Sequence, residues 1–258
     1  MSPSKGMNFS GSVSLPPSTN SPVFAEEADA LVTQYFVNKP VSFFTSNLKC
    51  SSKIATETKA SFDTFLTSSS PPLPAVHAFA GVAYKTFSGR TLSTSGLEYA
   101  GNNLRILDPI YGVLKGTDLI KSYRMELTHK FDGKKNLHKY WSSKVTSEIA
   151  SGLSGGILID ASSQEYGSML DRSVLSSSSI KILTVDFNRN GRPAPSATKK
   201  QSRGTFARYC CENNVETYED VIKFDVGYRL EGVEETEEGW TVTFEAEEQE
   251  KKGTKRKK

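Results

Sequence analysis

Cysteine is nearly absent from the chain: three residues in 258, one isolated at Cys50 and two adjacent at Cys210 and Cys211. An odd number so placed makes no disulfide framework, and a reducing compartment fits it best. Neighbouring cysteines on a helix point in different directions, so a redox pair is not expected either. Histidine is as scarce, and His77, His129 and His138 show no ligand spacing, nor does any Cys-x-x-Cys pair occur. The scattered carboxylates Glu57, Glu98, Glu126, Asp160 and Glu165 then lack the company of a metal centre, and neither metal nor cofactor is expected. Long apolar runs are missing too. None approaches the roughly 18 residues that span a bilayer, and the opening Met-Ser-Pro-Ser-Lys lacks the apolar stretch of a secretory signal. No membrane partner is expected, and the cytoplasm is the expected location.

What is present suffices for a fold. A chain of 258 residues can bury a full core as one domain, and 36% hydrophobic residues place it above the disorder regime. The net charge of +3 hides a segregation: residues 231–250 carry nine acidic groups and no basic one, whereas residues 251–258 carry six basic groups and no acidic one. The expectation is a domain over residues 1–246 and a disordered basic tail over 247–258. Lys251-Lys-Gly-Thr-Lys-Arg-Lys-Lys258 resembles a nuclear-localisation or nucleic-acid-binding tail and equally fits a solubilising end, so entry into the nucleus is left open.

Periodicity gives the elements. Residues 10–22, rich in Ser and Pro, read as a loop. Ala28, Leu31, Val32 and Tyr35 then share one helical face, and helices are expected up to about Phe65. The proline-rich stretch 68–74 reads as a second loop. Ser95-Gly-Leu-Glu98 has capping-box spacing, which predicts a helix ending near Leu107. Tyr140, Trp141, Val145 and Ile149 form the stripe of another helix over Leu137–Leu153, closed by Gly155 and Gly156. The runs 156–160 and 180–187 read as strands of one central sheet, the first covered on both faces. A hairpin follows from Val226, with strands Tyr228–Val233 and Trp240–Phe244 around a glutamate-rich turn containing Gly239, and the remaining residues read as disordered. This is an α+β pattern with a mixed sheet flanked by helices.

The densest polar and aromatic segment runs from Asn103 to Glu126. Arg105, Asp118, Tyr123, Arg124 and Glu126 alternate there with apolar anchors, so the charges must be partly desolvated and need partners. Either a structural ion-pair network or a functional cleft satisfies that need. Leu104-Arg105, Leu107, Tyr111-Gly112, Leu114, Asp118 and Tyr123-Arg124-x-Glu126 closely resemble, in register, the signature of the YaaA-like peroxide-stress protein family. Ser2-Pro-Ser-Lys5, Phe79-x-Gly81-x-x-Tyr84, Leu137-x-x-Tyr140-Trp141 and Asp160-Ala-Ser-Ser163-Gln-Glu165-Tyr166 are similar to further blocks of that family, as is Lys200-Gln-Ser-Arg203-Gly204 followed by Arg208. Asp160, Pro109 and Gln201 depart from its pattern. The family places a short hydrophobic strand ahead of its counterpart of Ser2–Lys5; either that strand is missing here or the sequence begins late, and the edge of the sheet is left open.

The resemblance implies a YaaA-like fold with a helix-hairpin-helix-like element near the N-terminus, a role in the peroxide response that limits iron-linked damage, and DNA binding. Two site hypotheses follow. In one, Lys199, Lys200, Arg203 and Arg208 bind nucleic-acid phosphates without sequence preference, within a run that also holds Arg189 and Arg192 and no acidic group. The helical wheel puts Phe206, Tyr209 and Cys210 on the apolar side, Arg203 on its border and Lys200 beyond it. In the other, Lys5, Arg105, Asp118, Tyr123, Arg124, Glu126, Trp141, Ser163, Glu165 and Tyr166 line a cleft for an anionic small molecule, with Glu126 or Glu165 as general base and Arg124 or Arg203 as anion clamp. A close cluster beside a pocket would favour the second; side chains paired only to one another would favour a structural role.

Overall fold

The computed structural model describes residues 1–11, 13, 15–132, 135–153 and 155–247; the basic segment 251–258 lies outside them. The first half is mainly helical. Helices α1 (Ala25–Tyr35), α2 (Val41–Leu48) and α3 (Ser52–Asp63) are followed by strand β1 (Leu73–Pro74), short helices α4 (Ala75–Ala78) and α5 (Val82–Phe87), and α6 (Thr94–Asn102). As the periodicity requires, α1 buries Ala28, Leu31 and Val32. The Ser51 hydroxyl caps α3 by accepting from the Ile54 amide. Stacked Phe36, Phe44 and Phe62 tie α1 to the pair α2 and α3.

The middle of the chain forms hairpin β2 (Arg105–Asp108) with β3 (Gly112–Lys115), then β4 (Leu119–Ile120), which pairs β1. Strands β5 (Lys130–Asp132) and β6 (Lys135–Asn136) lead into helix α7 (Leu137–Gly152). Trp141, Val145 and Ile149 of α7 are buried, as the stripe predicts.

The second half carries the main sheet. Strand β7 (Ile157–Asp160) is followed by α8 (Gln164–Gly167), α9 (Arg172–Ser177), β8 (Lys181–Arg189), β9 (Arg192–Pro193), the 18-residue helix α10 (Ser196–Asn213), α11 (Tyr218–Val221), β10 (Tyr228–Thr236) and β11 (Gly239–Ala246). The order is β10-β11-β8-β7, with β9 on the end of β8. Strands β7, β8 and β11 run parallel, and β10 and β9 are antiparallel to their neighbours, so the sheet is mixed. Leu183, Val185, Phe187, Val242 and Phe244 pack with Phe206 of α10 in one cluster, while a larger cluster joins α1 to α7 with β2 and β3.

Five details differ from the sequence reading. Helix α6 is capped by Ser93, whose hydroxyl accepts from the Gly96 amide, and it ends at Asn102. Leu107 belongs to a strand, because pairing with β3 across a turn that needs Gly112 at φ +70° overrides the helical spacing of the leucines. Strand β7 is only half-buried along its length, since a cavity lies against it. At the far end, Gly239 opens β11 rather than lying in the turn, and Glu245 is a buried strand residue. Leu73 and Pro74 of the proline-rich loop pair with Leu119 and Ile120.

Candidate functional site

Four of the motif blocks meet at one polar seam where the N-terminal residues cross the molecule. Ser2 is fixed from two sides: its Oγ accepts the Ser163 amide at 2.8 Å, and its carbonyl accepts the Tyr84 hydroxyl at 3.0 Å. Gly81 leaves room for the next turn of chain, since a Cβ there would lie 2.2 Å from Ser4 Oγ. Lys5 Nζ reaches Glu126 Oε1 at 2.7 Å, and Arg124 donates to the Lys5 carbonyl at 3.2 Å. The blocks around Ser2, Gly81, Arg124 and Ser163 are thus parts of one contact set.

Beneath it lies Asp108, which the sequence reading did not single out. Its side chain is fully buried and accepts from the amides of Ile110 and Tyr111 at 2.8 and 2.9 Å and from the Tyr123 hydroxyl. Burial pushes its carboxyl up to about 6, even though those three hydrogen bonds pull the other way. Burial likewise raises the hydroxyls of Tyr123 and Tyr166. The signal for Asp108 was its place one residue before Pro109 at the head of a turn, where an aspartate caps the following amides. Trp141 is wholly buried and donates to the Pro109 carbonyl at 3.0 Å, with Gly112 against its ring. It holds the turn from below and lines no cleft.

Other predicted residues lie elsewhere. Arg105 is half-buried and donates to the carbonyls of Asn102 and Leu104, and burial lowers its pKa. Asp118 is 2% exposed, accepts the Lys115 amide, and is pushed up to about 6 by burial. Glu165 is exposed on the short α8. A cavity of about 360 Å³ is lined by Met1, Arg105 and Asp160 but by none of Lys5, Tyr123, Arg124, Glu126, Trp141, Ser163, Glu165 or Tyr166. The seam residues therefore pair chiefly with one another, the arrangement that favours a structural role. Among the described residues no group of three His, Cys, Asp or Glu side chains could hold a metal ion, and no helix is long and apolar enough to cross a membrane.

The basic run divides sharply. Arg208 is spent inside the protein: it donates to the carbonyls of Phe87, Ser88 and Thr91 and pairs with Glu212 at 3.0 Å. Lys199 pairs with Asp186 at 2.5 Å. Arg203 is half-buried, with its Nε enclosed and unpartnered among the described residues; burial lowers its pKa, against the attraction of Asp186 and Asp160. Asp160 itself is held by Arg172 at 2.9 Å. Lys200 is exposed, and so are Arg189 and Arg192, which stand directly opposite each other on β8 and β9.

Comparison with known proteins agrees with this layout. The family described as peroxide stress protein YaaA matches residues 1–233. A UPF0246 protein of Francisella tularensis subsp. mediasiatica (strain FSC147) is 32% identical over 242 residues, covering 89% of this chain and 93% of its own. A UPF0246 protein of F. tularensis subsp. novicida (strain U112) has the same identity and coverage. One from Rhizorhabdus wittichii is 30% identical over 248 residues, with 92% and 95% covered. Matched over residues 1–233, and 32% identical to relatives across most of its length, with four of its motif blocks meeting in one polar seam, this protein belongs to the peroxide stress protein YaaA family.

Proposed function

We propose that the protein serves the peroxide response by covering nucleic acid, holding phosphates without sequence preference on the face formed by Arg189, Arg192, Lys200 and the edge of Arg203, and so limiting iron-linked oxidative damage there. One observation carries the reading. Arg189 and Arg192 face each other across two paired strands, exposed and in no ion pair among the described residues, while the Glu245 carboxylate accepts the Gly191 amide in the turn between them. Like charges directly opposite each other cost stability, and a phosphate between them removes the cost. The amino end of α10 begins four residues after Arg192, with no side-chain cap, so its first amides add to the same field. Arg208, consumed by carbonyls and Glu212, is not part of this surface. The anionic small-molecule reading is the weaker one, because Lys5, Arg124 and Glu126 already satisfy each other.

The test is the salt dependence of binding to duplex DNA for the full chain, a chain ending at Glu250, and the Arg189→Ala/Arg192→Ala/Lys200→Ala variant. Loss of three phosphate contacts lowers the log-log salt slope by roughly 2 to 3. Binding that survives removal of the tail and weakens in the triple variant supports the folded face as the binder. Binding that disappears with the tail alone, or is never seen, overturns it.

A further inference from the structure

Strand β10 closes one side of the main sheet with an open edge. It heads the strand order and pairs β11 on one side; no strand among the described residues pairs it on the other. From Arg229 to Thr236 every residue of it is exposed. Successive residues of a strand turn their N–H and C=O groups to alternate edges, so every second residue holds a main-chain donor and acceptor outward. Such an edge is a template for a further strand.

Its charge decides which strand. Glu231, Glu234 and Glu235 lie on β10, and Glu237 and Glu238 form the turn into β11. Glu231 accepts from Asn188 Nδ2 at 2.6 Å, and Glu238 pairs with Arg172 at 3.1 Å. Glu234, Glu235 and Glu237 are exposed and in no ion pair among the described residues, and Arg229 is the sole basic residue of the strand. Two copies of β10 laid edge to edge would crowd these carboxylates, which disfavours self-pairing and favours a strand of opposite charge.

A groove beside the edge makes a third demand. Residues opposite each other in the ladder share a face, so Val233, opposite the buried Val242, and Glu235, opposite Trp240, lie on the same face as α11. The rings of Trp240 and Tyr218 stand 5.2 Å apart, both half-buried, and with Glu219, Val233 and Glu235 they line an open groove. Indole and phenol faces ringed by carboxylates suit a cation, and the aliphatic stem of lysine or arginine suits Val233. An extended Lys/Arg-rich peptide meets all three demands. A polyamine brings no main chain to the edge, and nucleic acid is repelled by the glutamates.

We propose that β10 receives an extended, Lys/Arg-rich segment of a partner polypeptide, which adds to the main sheet as its outermost strand and lays one cationic side chain in the groove against Trp240 and Tyr218.

The probe is acetyl-Lys-Thr-Arg-Thr-Lys-Thr-Arg-amide, beside a copy N-methylated throughout its backbone and beside spermine, which carries charge without a main chain. Titration into the full chain at low salt is followed by the fluorescence of Trp240, over the constant signal of the wholly buried Trp141. The plain peptide binds saturably, and the methylated copy and spermine bind at least tenfold more weakly. Glu234→Gln/Glu235→Gln weakens the plain peptide at least threefold at unchanged melting temperature, and hydrogen exchange shows new protection within β10. The Arg189→Ala/Arg192→Ala/Lys200→Ala variant binds it as before, which separates this edge from the phosphate-binding face. No binding, equal affinity for the plain and methylated peptides, or protection only outside β10 overturns the proposal. Binding by a chain ending at Glu250 but not by the full chain also overturns it, because residues 251–258 would then be the occupant. A dimer that the peptide dissociates overturns it in favour of a second copy.

Discussion

Gly204 of α10 lies so close to α5 that a Cβ built on it would stand 1.9 Å from the carbonyl oxygen of Ala83 and 2.3 Å from Thr86 Oγ1. The contact explains the glycine that follows Arg203 in the basic motif. Without a side chain at that position, α10 settles onto α5 and carries Arg203 and Arg208 to their places.

Gly204→Ala is therefore expected to destabilise the protein by about 1 to 3 kcal/mol or more, because the blocking atom is main chain and cannot swing aside. Gly232→Ala is the matched control: a Cβ there meets nothing within 4 Å. Its effect should stay within about 0.5 kcal/mol. Thermal melting of the two variants checks the pair, and equal losses would refute the contact as the cause.

Arg208→Ala is expected to cost about 2 to 3 kcal/mol, since it strands three main-chain carbonyls and leaves Glu212 without its partner. The salt slope for DNA should not change. A fall in that slope at unchanged stability would return Arg208 to the binding face.

Asp108→Asn tests the buried carboxyl through pH. The folded-state value near 6 lies above the unfolded value of about 3.9, so the folded state binds more protons between them. Stability from this group is present below about pH 4 and is lost as pH rises through 6, a loss of about 3 kcal/mol. His129, buried with both ring nitrogens unpartnered and pushed down to about 4, works in the opposite sense, with stability present above its usual value and lost as pH falls. The two offset each other in the native protein. Denaturant unfolding from pH 4 to 7 should therefore show the asparagine variant gaining stability relative to the native chain as pH rises. A constant difference across that range would mean that Asp108 is ionised throughout.

Much of the fold was legible because it is local. The stripe Trp141, Val145, Ile149 and the alternation of β10 and β11 record which side of an element meets the core, and those patterns need only neighbours in sequence. The leucines after α6 misled for the same reason: their spacing suits a helix, but the partner that makes 105–108 a strand lies across the turn at 112–115. The motif blocks were visible as residues, whereas their meeting at Ser2 depends on hydrogen bonds spanning up to 161 positions.

Most of the element types, the scarcity of cysteine and histidine, and a basic run from Arg189 to Arg208 could be read from residue order alone. Which of those charges are free depends on packing. Arg208 is engaged by main-chain carbonyls and Glu212, Lys199 is paired with Asp186, and Arg189, Arg192 and Lys200 are left to solvent. A residue's charge is a property of its type, but whether that charge is neutralised depends on which distant groups the packed chain brings within a few ångströms.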